Sequence, residues 1–309
     1  MNYIDFDAVH RALSVGKLVE PLRRAFISSA HSPERAQYDL MVADKPRTLL
    51  LMPSWRPDGD IGVKIVTIFP DNSDRELPSV NAAYLLLSGR TGQPRAWIEG
   101  RALTLFRTAA VSALAADVLA PAVPGIFLMV GTGALSRYLI EGHLAVRKYD
   151  SVVVWGRDTR KAASVALDLS ARGWPVGVAK DLEIAVRSAD VISCATMAEQ
   201  PLIQGNWLKS RCHLDLVGSF KPGMREADNE CMRGALIAVD TLAALHESGD
   251  LIEPLARGVI ALEDILLLGD LIASGATPGP RRTVFKSVGV AHADLAAAEY
   301  LFEHHLPSA

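Results

Sequence analysis

Apolar positions recur at helical spacing from the start of the chain. Val9, Leu13, Val15, Val19, Leu22 and Phe26 predict a helix reaching about residue 30. The period then changes. Residues 48–53 are a short apolar run closed by Pro53, and residues 63–69 are rich in β-branched side chains up to Pro70. Residues 82–87 precede Ser88-Gly89 and the turn-like Thr91-Gly92-Gln93-Pro94, after which 95–99 run to Gly100. Short strands joined by brief turns predict one mixed or antiparallel sheet. Residues 104–120 read as a long Ala/Leu-rich helix stopped before Pro121.

Beyond Pro124 strands alternate with helices. Strands are expected at 126–130, 151–155, 191–195, 214–217 and 236–239, with helices at 134–147 and 159–170. Such alternation predicts a parallel sheet with crossover helices. An Ala-rich helix over 291–304 closes the chain and is free to return to the first domain. The expected division is therefore 1–120 with 291–309 as a smaller α+β domain, and 121–290 as a parallel-sheet domain.

Composition narrows this picture. A length of 309 residues suits two domains, and a hydrophobic share of 50% excludes a disordered chain. Lys and Arg total 32 against 35 Asp and Glu, a net charge of −3, with a pI near 6.2. That balance argues against a polyanion binder, so no nucleic acid is expected, although a local basic pocket remains compatible. Cys194, Cys212 and Cys231 have no zinc-ligand spacing and cannot form a disulfide framework. No metal is expected, and a reducing compartment fits. The N-terminal stretch is acidic and carries no export signal, and no window holds ~18 uncharged apolar residues. The expectation is a cytoplasmic protein without a membrane span.

Val130-Gly131-Thr132-Gly133-Ala134-Leu135-Ser136 follows an apolar strand and opens a helix. Glycines there permit a tight turn and close backbone approach to a pyrophosphate, and the helix N-terminus offers N–H groups and the positive dipole end. Strand, turn, helix and second strand fit within about 30 residues, as a dinucleotide site requires. Gly131, Thr132, Gly133, Ala134 and Leu135 are thus candidate cofactor residues in a Rossmann-type α/β domain; an ordinary strand-to-helix turn is the plain alternative. The second strand ends Trp155-Gly156-Arg157-Asp158-Thr159-Arg160. An NAD site usually places a carboxylate there, whereas a guanidinium grips a 2′-phosphate. Gly156, Arg157 and Arg160 favour NADP(H), with NAD(H) use left open, and Asp158 is placed to cap the next helix or contribute to the site.

Basic residues interrupt two apolar patterns. Lys64 lies mid-strand and must either snorkel to water or face something that needs its charge. Arg107 lies near the start of the long helix, where a cation opposes the macrodipole unless both hold one anion; a structural salt bridge is the competing account. Arg47 precedes the first apolar strand. If it lies beside Lys64, three cations line one pocket suited to a small anion.

Taken together, nearly the whole chain resembles the ornithine cyclodeaminase/mu-crystallin family. The resemblance includes Gly62-Val63-Lys64-Ile65-Val66 followed by Pro70 and Asn72, Leu77-Pro78, Thr91-Gly92-Gln93-Pro94, and Leu103-Thr104 before Arg107-Thr108-Ala109-Ala110. It continues through Gly131-Thr132-Gly133, Trp155-Gly156-Arg157, Pro222-Gly223-Met224-Arg225-Glu226 and Val288-Gly289. It implies a homodimeric nicotinamide enzyme whose α+β domain carries the substrate residues and the dimer contact. By resemblance Arg47, Lys64 and Arg107 bind substrate and Thr108 lies near the nicotinamide. Ala195, Thr196, Val217, Gly218 and Ser219 are further cofactor candidates.

One departure bears on the reaction. Ornithine cyclodeaminases carry an aspartate before Pro-Gly that engages the substrate amine. Alignment on Pro222-Gly223 puts Phe220 there, and a shift of one residue gives Ser219 or Lys221. None is a carboxylate, and phenylalanine cannot pair with an ammonium. The segment 218–226, with 49–55 and 193–196, resembles the branch that reduces 1-pyrroline-2-carboxylate and 1-piperideine-2-carboxylate to L-proline and L-pipecolate. The expected activity is NAD(P)H-dependent reduction of a small anionic cyclic imino acid, with Lys64 orienting the substrate and supplying or relaying a proton, and Phe220 bounding the ring. Two other readings stand beside it: an alanine dehydrogenase or amino-acid cyclodeaminase of the same family, and a non-catalytic NADPH-binding crystallin-like protein.

Overall fold

The computed structural model describes residues 2–42 and 45–305. Contacts divide the chain into two compact units, one formed up to Thr108 and again from Val290, the other by Ala109–Gly289. In the first unit, β1 (Asn2–Ile4), α1 (Phe6–Ala12) and α2 (Val15–Phe26) precede β2 (Ala36–Val42), β3 (Lys45–Trp55), β4 (Ile61–Ile68), β5 (Val80–Leu87) and β6 (Pro94–Glu99). The first apolar stripe is two helices rather than one. Asp5 caps α1 by accepting from Ala8 N–H (2.8 Å), and Leu13 and Ser14 turn extended between the helices.

The six strands lie in the order β1-β6-β5-β4-β3-β2. All neighbours are antiparallel except β1 with β6, so the sheet is mixed. β3 continues through Pro53, which sits opposite Val63, instead of ending there. Strand alternation gives the sheet two unlike faces. Met52, Lys64, Tyr84 and Ile98 share one row across the sheet on the buried face. Leu51, Val63, Ile65, Leu85 and Trp97 lie on the other face and are only partly buried.

Helix α3 (Gly100–Leu119) leads from the first unit into the second. It is long and apolar enough to cross a membrane by length and composition, but most of it is buried within the protein, as in a core helix. The second unit continues with β7 (Ile126–Val130), α4 (Ala134–Val146), β8 (Ser151–Trp155), α5 (Thr159–Ala171), β9 (Val176–Val178), α6 (Leu182–Ser188), β10 (Val191–Cys194), β11 (His213–Leu216) and β12 (Leu236–Val239). Then come α7 (Ala244–Glu247), α8 (Gly249–Ala256), β13 (Ile265–Leu267), α9 (Leu268–Ser274) and β14 (Thr283–Lys286). Its eight strands run in the order β13-β12-β14-β11-β10-β7-β8-β9, every pair parallel. This is an α/β Rossmann-type sheet, with the chain order reversing at β7. Leu128, Val130, Ile192, Leu214, Leu216, Ile237 and Val239 lie in one buried core, as a sheet covered on both faces requires.

The last helix, α10 (Ala291–His305), returns to the first unit and packs on α2 and on β3, β4 and β5. Its small side chains allow close approach: Ala291, Ala293, Ala296, Ala297 and Ala298 are buried, with Leu295 and Leu301.

Candidate active site

Lys64 projects from β4 into the interior of the first unit and is 3% exposed, so it does not snorkel. Its ammonium donates to Asp294 Oδ2 at 2.7 Å. The same carboxylate accepts from Arg107 Nε at 2.9 Å through Oδ1. Asp294 is fully buried in the first turn of α10, where a negative charge also suits the helix dipole. Burial disfavours that charge, but Arg107 and Lys64 outweigh it and hold the carboxyl below the usual aspartate range. Burial, and then the Arg107 guanidinium, bring the Lys64 ammonium down to about 8, against the pull of Asp294. Of the two accounts of Arg107, the salt bridge is the one present; the helix begins at Gly100, about two turns earlier, so Arg107 does not lie at the helix end. Its Nε forms a buried ion pair, while its two terminal nitrogens make no bond within the described residues.

Arg35 is a further cation that acts on Lys64, adding to the downward push on its ammonium. The register explains its proximity. Ala36 pairs with Leu51, so Arg35 comes level with Met52, the partner of Lys64. Neither Arg35 nor Asp294 is among the residues picked out from the sequence. Arg47 does not join this group. It follows the opposite alternation to Met52 along β3, donates to Asp71 from Nε (3.4 Å) and Nη2 (2.8 Å), and lies 4.8 Å over the Phe69 ring. The expected trio is thus corrected in one member: Lys64 and Arg107 come together with Arg35, and Arg47 is engaged elsewhere. Thr108, beside Arg107 on α3, is buried.

In the second unit a cleft of about 470 Å³ lies past the carboxyl ends of β7, β8 and β10. Ligands bind at this place in open parallel sheets, where the strand order reverses. Gly131 takes φ +126°, and a Cβ there would lie 2.5 Å from the Ala195 carbonyl oxygen. The Ser136 hydroxyl, fully buried at the third position of the fingerprint, donates to Gly131 O at 2.9 Å and closes the turn. Around a Cβ built on Gly133 there is no heavy atom within 4 Å, so this backbone faces open cleft, as close approach to a pyrophosphate requires. Thr132 lines the cleft, and Ala134 and Leu135 form the opening turn of α4 behind it.

Gly156 and Arg157 line the same cleft from the end of β8, and Ala195 and Thr196 from the end of β10. Asp158 also borders it, but its carboxylate caps α5 by accepting from Arg160 N–H at 2.9 Å. Hydrogen bonds from Arg160 hold this carboxyl below its usual range. The Arg160 side chain is 92% exposed and lies outside the cleft, whereas Lys161, one turn beyond Arg157, lines it. Lys161 was not anticipated; it lies in the first turn of α5, just after the Asp158 cap. Val217, Gly218 and Ser219 leave the end of β11. The Ser219 hydroxyl is internal, donating to Met224 O at 2.6 Å and sharing a hydrogen bond with Ser248. Phe220 is 40% exposed, with the Lys221 ammonium 5.9 Å from its ring. Among the described residues there is no group of His, Cys, Asp and Glu able to hold a metal.

A parallel sheet with a glycine turn at its switch point, preceded by a unit holding buried cations about one carboxylate, defines a two-unit α/β protein of dinucleotide-binding type. The chain belongs to the ornithine cyclodeaminase/mu-crystallin family, whose model matches residues 4–308. Protein SAR DEFICIENT 4 of Arabidopsis thaliana is 39% identical over 293 residues, covering 90% of this chain and 89% of that protein. A Delta(1)-pyrroline-2-carboxylate reductase of Colwellia psychrerythraea is 35% identical over 316 residues, covering 98% and 99%. Among solved structures, Thermococcus litoralis Delta(1)-pyrroline-2-carboxylate reductase in complex with NADH and L-proline aligns with a TM-score of 0.91 at 30% identity, covering 98% of this chain and 97% of that one.

Proposed function

We propose that this chain is an NAD(P)H-dependent reductase of a cyclic imino acid, forming L-proline from 1-pyrroline-2-carboxylate or L-pipecolate from 1-piperideine-2-carboxylate. The observation that carries this reading is the buried Lys64–Asp294–Arg107 cluster with Arg35 beside it. Reduction of a C=N bond needs a hydride at carbon and a proton at nitrogen. When bound, the reduced nicotinamide supplies the hydride. Lys64 supplies or relays the proton: its ammonium, lowered to about 8, is still charged at neutral pH yet gives up a proton more readily than an ordinary lysine. Asp294 holds Nζ in place and keeps the ammonium from being suppressed altogether. Arg107, through its terminal nitrogens, and Arg35 clamp the substrate carboxylate and orient the ring. Phe220 stands where a cyclodeaminase has a carboxylate and cannot pair with a substrate ammonium, which disfavours cyclodeamination.

The first unit is the substrate domain in this reading and the second the cofactor domain. Arg157 at the end of β8, with Asp158 committed to its cap, favours NADPH over NADH. A second copy of the chain covers the half-exposed apolar face of the six-stranded sheet, giving a homodimer. The three cysteines are unpaired thiols, consistent with the cytoplasm.

The test is nucleotide oxidation with the two cyclic imino acids, run beside pyruvate plus ammonia and beside ornithine deamination. Turnover of an imino acid is expected. Arg35→Ala should raise KM for it on the order of tenfold or more, the loss of a charged hydrogen bond, while Arg47→Ala changes it little. Ammonia release from ornithine, without imine reduction, would overturn the reading.

A further inference from the structure

Glu226 belongs to the Pro222-Gly223-Met224-Arg225-Glu226 segment, which the proposed reduction leaves without a task. Its carboxylate is fully buried just past the ends of β10 and β11. Oε1 accepts from Thr196 N–H at 2.7 Å and from the Thr196 hydroxyl at 2.9 Å, and Oε2 accepts from Gly218 N–H at 2.7 Å. One side chain therefore ties the loop after β10 to the loop after β11. The first of these loops, 195–198, forms one wall of the dinucleotide cleft. The loops are in close contact, since a Cβ on Gly218 would lie 2.0 Å from Thr196 O.

This arrangement favours the ionised form, because a carboxylate accepts these three hydrogen bonds more strongly than a neutral carboxyl does. The groups around it make ionisation a close contest. Asp250 on α8 accepts from Glu226 N–H and Ala227 N–H through Oδ1, at 2.8 and 3.1 Å. Lys286 on β14 donates to Leu216 O at 3.0 Å and lies 3.7 Å from Asp250 Oδ2. The Cys194 thiol at the end of β10 also feels the Glu226 charge. Two buried carboxylates thus share one buried ammonium. Burial raises the Glu226 carboxyl to about 7, with Asp250 adding to the rise and Lys286 and Thr196 opposing it.

We propose that Glu226 is a positioning residue for the dinucleotide, holding residues 195–198 in their binding shape while ionised and releasing them on taking up a proton. The inference rests on the reading that the cleft holds a nicotinamide dinucleotide. The test is a fluorescence titration of the full-length protein with NADH, without imino acid, across neutral pH. NADH is the probe because it lacks the 2′-phosphate, which titrates in the same range. In the unaltered protein Kd should rise on the order of tenfold as pH falls through about 7, the loss of a hydrogen bond to a charged group. Glu226→Gln should bind with the weakened affinity at every pH. Thr196→Val removes one bond that favours ionisation and should move the midpoint to higher pH.

A pH-independent Kd in the unaltered protein overturns the inference. So does a Glu226→Gln variant that keeps both the affinity and the pH profile. If Glu226→Gln fails to fold, the Thr196→Val midpoint decides, and an unmoved midpoint counts against the inference. Absence of NADH and NADPH binding at any pH would overturn the dinucleotide reading itself, a result distinct from pH-flat binding.

Discussion

Lys64, Asp294 and Arg107 form a unit that none of them makes alone. Two cations packed in a sheet interior are tolerable because one carboxylate lies between them, 2.7 Å from the lysine and 2.9 Å from the arginine. Replacing Asp294 with Asn leaves both charges buried and unpaired. Loss of such a partner typically costs about 3–5 kcal/mol, which urea unfolding would read as a lowered midpoint. The same variant makes a kinetic prediction. If Lys64 gives the proton, as proposed, kcat/KM should fall as pH rises through about 8. Asp294 raises that value, so Asp294→Asn should move the alkaline limb to lower pH, and a pH–rate profile checks the direction. Lys64→Met should reduce turnover by about 10²–10⁴-fold. Lys64 was legible in the sequence because a charge interrupts a β-branched run. Asp294 was not, because an aspartate in the first turn of an Ala-rich helix already has an ordinary reason to be there. Arg35 was hidden because it lies just before β2, outside any apolar run that its charge could interrupt.

At the scale of elements, the β7–α4 and β8–α5 junctions line one cleft, and in the proposed reading they divide the work of holding a dinucleotide. The first presents open backbone at Gly133 and the second presents Arg157. Arg157→Ala should raise the KM for NADPH by roughly tenfold or more while leaving NADH nearly unchanged, since a charge-assisted bond to phosphate is removed. Arg160→Ala should change neither, because its side chain stands in solvent. Steady-state kinetics with both nucleotides compare the two. These junctions were readable because strand, glycine turn and helix follow in a fixed order; β7, β8 and β12 have the expected limits. The strands that escaped notice were β1, β2, β9, β13 and β14. Three of these, β1, β9 and β13, have only three residues, too short for a period to show, and β14 is four residues buried throughout, where alternation vanishes.

Over the whole molecule, the two units differ in how their sheets are covered. The parallel sheet is buried on both faces, whereas the six-stranded sheet keeps Leu51, Ile65 and Trp97 half-exposed on one side. If a second copy covers this face, as proposed, the unaltered protein is a dimer in light scattering, and Ile65→Glu combined with Leu51→Glu should make it a monomer with the far-ultraviolet circular dichroism unchanged. The α/β character of the molecule was visible in its alternating strands and helices. The division between units was less so: contacts place it after Thr108, within an unbroken helix, where neither proline nor glycine marks the change.

Asp294 also has a place in time. It follows the entire second unit in the chain, yet its carboxylate completes the interior of the first. A ribosome therefore finishes β4 and α3 long before it makes the counter-charge for Lys64 and Arg107. Until that residue emerges, the nascent sheet cannot close over two unmatched cations without a penalty comparable to the stability of a small domain. A chain released before residue 294 therefore lacks the counter-charge that closes its first unit, and limited proteolysis should cut that unit faster in such a truncation than in the full-length protein.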